Sequence, residues 1–542
     1  MVNEQGAALA FSDVLAGIAG FFLGKAKMSE IATNRLIGRG QTRPHPWSTR
    51  FDDYVCWSGL TDRSYFARLL PAMPSKPNLP APATLWPLFA AKPGQQVECP
   101  KSTCLFHAFA QYLTDGFLRT RQFNTPPGPG GRVQPEDRKR TTSNHEIDLS
   151  TLYGRTEDQT LALRSMRGGK LLSQTINGEE FPLFLYDANG QPNPQFLGPD
   201  GFLTIDEPLG INNSTPAGLS TLFAVGGDRV NSSVHVCAIN TLFLREHNRV
   251  AGELAKKHPT WNDERLFQIA RNILIVMFIQ IVVLEYVNHI SSAPFRFLVD
   301  PTMVWKAGWN RPNWMTIEFT LLYRWHSLVQ ETMVWGGKIE RAPDMLLNNQ
   351  LLLTSGLAGT FAELSANHAA RMGLGNFAFF FADAEQKGIQ QGRDNNLQSY
   401  NAYRKAMGFS PAKSFTEVVG KSKDATEQAR RTALAAQLQQ LYGNVDDLDF
   451  YVGLFAEPCE ANSPLPELAL AMVAMDAFSQ ALPNPLLSEH IWGDETVKEL
   501  TFTKEGIDLL AKTNCLRDVL ARVMPNLGNT FVGMTRPDWK HG

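Results

Sequence analysis

The chain has no excess of charge of either sign. Its 51 Lys and Arg against 53 Asp and Glu leave a formal charge of −2 over 542 residues, so no global field draws it to nucleic acid or to an anionic bilayer. Nucleic acid is therefore not an expected partner. Cysteine is scarce: Cys56, Cys99, Cys104, Cys237, Cys459 and Cys515 form no CxxC pair, and only Cys99 and Cys104 lie close together. A chain of this size does not need a disulfide framework, and reduced thiols in a cytosolic setting are the expectation. No internal repeat appears, which sets aside solenoids and propellers. No convincing secretory signal or membrane span appears either. Residues 8–23 are mostly apolar, but Asp13 interrupts them and no basic residue precedes them. Phe11, Leu15, Ile18, Phe21 and Phe22 fall near one helical face, as an interfacial helix requires; a helix docked on the domain is an equally simple reading. A cytoplasmic chain, with peripheral membrane contact left open, is the expectation.

Apolar bulk is present in quantity. Hydrophobic residues make up 43% of the chain, with 33 Phe and 11 Trp, enough for an extensive core. Pro and Gly mark breaks at 71–84 and 125–135, and 183–218 reads as a long irregular excursion. Elsewhere apolar residues recur at three- and four-residue spacing, predicting helices over 103–120, 234–257, 262–291, 314–330, 426–442 and 465–481. Asn262 or Asp263 can cap the third of these. The run Ile273–Leu284, broken only by Gln280, suits a helix buried on all sides. Strand-like alternation is scarce. The fold class is mainly α, as one large domain with an irregular N-terminal arm.

Residues 314–330 read WMTIEFTLLYRWHSLVQ. A helix there puts Tyr323 and His326 on one face, three residues apart. A neutral imidazole is a common haem-iron ligand, and a phenol one turn away would sit near the macrocycle edge. Taken alone, such a pair reads as core packing.

The order of the surrounding segments gives the pair its weight. EFTLLYRWHSL resembles the proximal helix of cyclooxygenases, and LFLREHNRV at 242–250 resembles the Arg-Glu-His-Asn-Arg signature of animal-type haem peroxidases. HPTWNDERLFQIARNILI at 258–275, GRDNNLQSYNAYRKAMGF at 392–409, VDDLDFYVGLFAEP at 445–458 and IDLSTLYG at 147–154 resemble further blocks. In this order, from about residue 100 to 520, the chain is identified as a member of the animal-type haem peroxidase and cyclooxygenase superfamily. It resembles most the bacterial cyclooxygenase-like fatty-acid dioxygenase branch.

The resemblance implies a haem peroxidase-like helical domain over 101–525, after an arm at 1–100 and before a tail at 526–542. It makes His326 the axial iron ligand, with Trp325 beside the haem and Tyr323 as a hydrogen-abstracting radical. LFHAFAQYLTDGFLRT at 105–120 resembles the distal helix, with Gln111 and Asp115 one turn apart. Peroxide-cleaving relatives carry His where Asp115 stands. That histidine is a general acid–base contributing a factor of roughly 10²–10⁴, so efficient peroxidase turnover is in doubt. Asp115 is a substitute base with a raised pKa, a structural group, or a shorter side chain that widens the pocket. Arg229, 16 residues before Arg245, matches the distal arginine and would stabilise developing negative charge. Thr114, Ser232 and Ser233 stand where covalent haem links form in some relatives, so non-covalent haem b is expected. Asp148 and Ser150 match calcium positions, but Gly116 replaces the partner aspartate, so calcium is less expected than not. Arg245, Glu246, His247 and Arg249 are expected to be structural, His145 and His235 are read as members of satisfied polar networks, and His107 is not expected to reach the haem.

Tyr323 decides between reactions. A radical there needs an apolar channel opposite the haem, for which Phe377, Phe379, Phe380, Phe381, Met472 and Met475 are candidate walls, each more simply core. Ser479 resembles the cyclooxygenase channel serine across a gap, while Ala293 replaces the tyrosine that helps hold a substrate carboxylate. That departure argues against a faithful prostaglandin synthase. The leading expectation is a haem-dependent fatty-acid dioxygenase taking a lipid and O2. The alternatives are a peroxidase with Asp115 as base, and a haem-binding protein or hydroperoxide isomerase with little oxidative activity.

Overall fold

Helices carry about 52% of the chain and strands very little, as the apolar periodicity predicts. The computed structural model describes residues 25–39, 64–73, 76–120, 140–310 and 314–541; the apolar stretch at 8–23, Cys56 and the connector at 125–135 lie outside the described residues. Helix α1 (Lys25–Arg39) packs against a much later helix. Strand β1 (Glu98–Thr103) leads directly into α2 (Cys104–Asp115) and pairs antiparallel with β2 (His368–Ala370). The C-terminal segment closes the same corner: Thr103 N–H donates to the Met534 carbonyl at 2.9 Å, and Ser102 bridges Thr535.

Helix α3 (Val234–Lys257) is the central pillar. Its first fifteen residues are all buried, and Lys256 and Lys257 in its last turn complement the C-terminal dipole. Helix α4 (Asp263–Ile281) packs antiparallel to it across a short turn. Asn262 caps α4 by accepting from the Arg265 N–H at 2.9 Å, while Asp263 and Glu264 favour its positive end and are both held by Arg164. The apolar run from Ile273 to Ile279 is buried throughout, so this helix is long and apolar enough to span a membrane yet serves as core. It does not continue unbroken to 291. Residues Val282–Val287 form a π-helical stretch, a widened turn that re-aims the side chains after it.

The motif segments are structural ties. In the REHNR run, Arg245 pairs with Glu179 at 2.9 Å, and fully buried Glu246 is shared by Arg249 and Arg522, each at 2.7 Å. His247 Nε2–H donates to the Gly169 carbonyl at 2.8 Å, which leaves Nδ1 to accept from the Tyr153 hydroxyl at 2.9 Å. Burial lowers the His247 pKa to about 4, so it is a neutral core histidine, as expected from the sequence. In the 392–409 segment, Tyr403 donates to buried Glu318 at 2.8 Å, and Arg404 and Tyr400 both hold Glu457. Glu318 lies in the first turn of α5 (Ile317–Leu322), so this network fixes the helix that presents Tyr323.

Candidate active site

Helix α5 begins with Thr316, whose hydroxyl caps the Phe319 N–H at 3.1 Å, and it stops at Leu322. The expectation of one helix over 314–330 is wrong here. Tyr323 has left helical geometry (φ −93°, ψ 14°), and a separate 3-10 turn starts at His326. The indole N–H of Trp325 donates to the Leu322 carbonyl at 2.7 Å and so occupies a carbonyl the next helical turn would have used. Tyr323 and His326 therefore do not share a helical face. They meet instead in the wall of one cavity of about 420 Å³, which Gln111, Asp115, Arg229 and Trp325 also line. All six residues expected at the site are brought together.

His326 is held with its working nitrogen free. Its Nδ1–H donates to Glu385 Oε1 at 2.5 Å, and its ring lies flat against Phe381, 4.4 Å between centroids and 5° apart. Glu385 sits on α6 (Ala382–Asp394) and is fully buried. Its other oxygen accepts from the Tyr451 hydroxyl at 2.6 Å, on α7 (Phe450–Ala456). With Nδ1 committed, Nε2 keeps a lone pair on the cavity side. Imidazole ligands are oriented in this way when the second ring nitrogen donates to a carboxylate. Sequence reasoning missed Glu385.

Tyr323 stacks on Trp325 at 4.6 Å and meets Phe319 edge-on at 4.7 Å. Burial pushes its phenol well above the usual range; Tyr286 opposes this and the charge of Asp476 adds to it. The Tyr286 hydroxyl is the polar side-chain neighbour of that phenol. Tyr286 is delivered by the π-helical stretch. Tyr323 is thus neutral at any working pH and has a second phenol for its nearest polar company.

On the opposite side, Gln111 and Asp115 occupy consecutive turns of α2. Gln111 donates to Ser232 Oγ at 2.8 Å. Asp115 Oδ1 lies 3.6 Å from Arg229 Nη1, and its Oδ2 is buried without a hydrogen-bond partner. Burial raises the Asp115 pKa to about 6, against the lowering effect of Arg229. Behind the pair, Arg119 holds Asp228 at 2.6 Å and Asp206 at 3.1 Å. The Thr114 hydroxyl is occupied by the Ala110 carbonyl at 2.9 Å. Asp148 accepts from the Ser150 N–H at 2.8 Å and the Asn144 amide at 2.6 Å, and Ser150 Oγ donates to the Gly116 carbonyl at 2.8 Å. Local hydrogen bonds thus occupy both residues named as calcium positions.

Two histidines depart from expectation. His107 and His235 both line the cavity, 6.0 Å between ring centroids, and each has a buried Nε2 without a partner. Burial lowers their pKa values to about 3 and about 4. His235 is therefore not a satisfied network member. His145, by contrast, accepts from the Met315 N–H at 3.0 Å.

A second, largely apolar cavity of about 360 Å³ lies along α8 (Glu467–Ala481). Val287, Ile290, Phe297, Val473 and Phe478 form walls, Ala293 is among them, and Arg35 of α1 stands with Glu460 and Glu467 as its charged lining. Most of the expected walls lie elsewhere. Phe380 and Phe381 line the first cavity, Phe377 packs on Phe89 at 5.1 Å, Phe379 faces solvent, and Met472 and Met475 are core. Ser479 is buried in its helix and donates to the Asp476 carbonyl at 3.1 Å.

Comparison with known proteins agrees with this geometry. The animal haem peroxidase family model matches residues 91–532. Prostaglandin G/H synthase 1 of Rattus norvegicus is 30% identical over 459 residues, covering 82% of this chain and 69% of that protein. Among solved structures, peroxidase A from Dictyostelium discoideum superposes with a TM-score of 0.66 at 19% identity, covering 91% of this chain and 99% of that one. The fatty acid alpha-dioxygenase of Oryza sativa superposes at 0.65 and 19% identity, covering 86% and 82%. These two share its fold. The first cavity fits the cofactor implied: it is large, walled by Trp325, Phe380 and Phe381, and entered by an imidazole whose Nε2 is uncommitted. The chain belongs to the animal haem peroxidase family, and it is an oxidoreductase with haem as its cofactor.

Proposed function

We propose that the chain is a fatty-acid dioxygenase in which Tyr323 takes a hydrogen atom from a lipid chain before O2 adds to the carbon radical. The observation that carries this reading is the position of Tyr323. It lines the first cavity at the end of helix α5, which packs against α8, the helix that walls the apolar cavity. The fatty acid alpha-dioxygenase structures and prostaglandin G/H synthase relatives make a fatty acid and O2 the substrates of choice. In this reading His326 would hold a non-covalent haem b, which would supply the one-electron oxidant. Trp325 would pack beside the haem on the His326 side, and Gln111 and Arg229 line the cavity across from it. The Tyr323 phenoxyl takes a hydrogen atom from the lipid and returns one to the peroxyl radical that O2 forms, giving the hydroperoxide. The apolar walls take the acyl chain, and Arg35 pairs with its carboxylate.

Oxygen uptake with a polyunsaturated fatty acid tests the assignment. Wild-type protein consumes O2, and Tyr323→Phe abolishes uptake while leaving the haem absorption spectrum intact. Unchanged uptake in that variant refutes the radical role. One observation favours a second reading, a peroxidase: Asp115 has a pKa of about 6 and an unpartnered oxygen in the same cavity, as a working general base requires. Rapid oxidation of a phenolic donor, lost in Asp115→Ala, selects it.

A further inference from the structure

The contact behind His326 is the Glu385 carboxyl group, in a closed environment. Glu385 has no exposed surface, and among the described residues His326 is the only cationisable side chain within ion-pair distance of it. Its hydrogen bond from Nδ1 measures 2.5 Å. The flat stacking of Phe381 on the imidazole holds the plane of the ring. A charge-assisted bond in a low-dielectric interior is about twice as strong as a neutral one. It draws the Nδ1 proton towards the carboxylate and concentrates electron density on Nε2, making the imidazole a stronger donor to a metal. Tyr451 works in the opposite sense. Its hydroxyl donates to Oε2 at 2.6 Å and withdraws negative charge from the carboxylate that His326 would otherwise receive.

We propose that Glu385 is a positioning residue that sets the haem reduction potential through His326, and that the Tyr451 hydroxyl moderates its effect. The proposal rests on the reading of His326 as the iron ligand. Second-sphere hydrogen bonding is one of the means by which a protein sets haem electronics. It bears on the site because the Asp115–Arg229 pair in the same cavity carries charges that cancel when both are ionised. Electron density supplied from behind the iron favours the ferric state over the ferrous, so the ferric/ferrous potential falls.

The test uses haem-loaded protein and two readouts independent of turnover: the iron–histidine stretching band of the ferrous state by resonance Raman, and the ferric/ferrous midpoint potential. The two variants are expected to move both quantities in opposite directions. Glu385→Gln keeps an acceptor in place but removes the charge, so the band moves to lower frequency and the potential rises. Tyr451→Phe leaves the carboxylate with one donor fewer, so the band moves up and the potential falls. A purely structural role gives both variants the same loss of haem and no signed shift, and that result overturns the proposal. If Glu385→Gln does not retain haem, Tyr451→Phe alone decides: an unmoved or raised potential overturns it. Absence of the iron–histidine band in wild type, or its persistence in His326→Ala, rejects the ligand assignment instead.

Discussion

Asp115 should make the protein less stable as pH rises, by an amount that can be worked out. Its carboxyl is buried, with one oxygen unpartnered, and titrates at about 6 rather than the 3.8 of an exposed aspartate. A folded-state pKa raised above the unfolded one means the folded protein holds the proton more tightly. The stabilising contribution is complete below 3.8 and is lost as pH climbs through 6. At about 1.36 kcal/mol per pKa unit, full ionisation costs about 3 kcal/mol at pH 7 and above, and about 1.6 kcal/mol at pH 5. The pull of Arg229, 3.6 Å away, is already contained in that pKa. Asp115→Asn keeps the shape and cannot ionise, so its advantage over wild type should grow by about 1.4 kcal/mol between pH 5 and 8. With an unfolding entropy near 2.1 cal/mol/K per residue, a chain of this length shifts its Tm by about 1 °C per kcal/mol. Calorimetry at a fixed scan rate should show Asp115→Asn melting about 1.5 °C above wild type at pH 5 and about 3 °C above it at pH 8. A gap that does not change with pH, or a variant that melts below wild type at pH 8, refutes the reasoning.

Glu460, in the lining of the apolar cavity near Arg35, has its pKa raised to about 7 by burial and by Glu467 and Glu457. Its negative charge appears above that pH and opposes a substrate carboxylate, so the KM for a fatty acid should rise through pH 7 in wild type and stay flat in Glu460→Gln; steady-state oxygen uptake checks this. A Cβ at Gly453 would lie 2.3 Å from Cδ2 of buried Tyr400, whose hydroxyl is tied to Glu457. Gly453→Ala should therefore cost about 1–3 kcal/mol through overpacking, seen as a lower Tm with an unchanged haem spectrum. His247→Ala leaves the Tyr153 hydroxyl and the Gly169 carbonyl buried without their partner, a loss of about 3 kcal/mol or more. Its haem spectrum in the folded fraction should match wild type, which separates it from any variant of an iron ligand.

Elements that bury a continuous apolar stripe could be read from sequence almost to the residue. The expected 234–257, 426–442 and 465–481 correspond to Val234–Lys257, Ala425–Tyr442 and Glu467–Ala481. The reading failed where a side chain competes with the backbone ladder. Periodicity ran through Tyr323 because all of YRWH can be helical, and nothing local showed that the Trp325 indole would take the Leu322 carbonyl. It failed again at Val282–Val287, where VVLEYV continues the helical pattern and hides a π turn. The residues of the distal face were found because LFHAFAQYLTDGFLRT resembles a distal helix, with Gln111 and Asp115 at i and i+4, and because Arg229 keeps the family's 16-residue spacing to Arg245. Glu385 was not, because it lies 59 residues from its partner in a stretch rich in exposed polar groups. A signal was nevertheless there: Glu385, Gly388 and Ile389 fall at i, i+3 and i+4, and a Cβ at Gly388 would meet the Tyr451 ring at 3.0 Å. A carboxylate on the same face as a glycine and an isoleucine, in an otherwise polar helix, is a carboxylate turned inward.

That inward carboxylate bears on the cofactor as well. Across the cavity, Asp115, Asp206 and Asp228 stand against Arg119, Arg155 and Arg229, so the distal charges compensate one another within the protein. On the His326 side the charged group nearest Glu385 along the chain contact is Arg324, which donates to the Ala384 carbonyl at 3.3 Å. Glu385 has a phenol and an imidazole for partners and, among the described residues, no guanidinium or ammonium within ion-pair distance. Nδ1 of His326 is committed to Glu385, so Nε2 is the ring nitrogen left to meet a metal, and the carboxyl group stands one imidazole away from it. An orienting partner fixed from two sides, by His326 and by Tyr451, is what keeps that nitrogen aimed into the cavity.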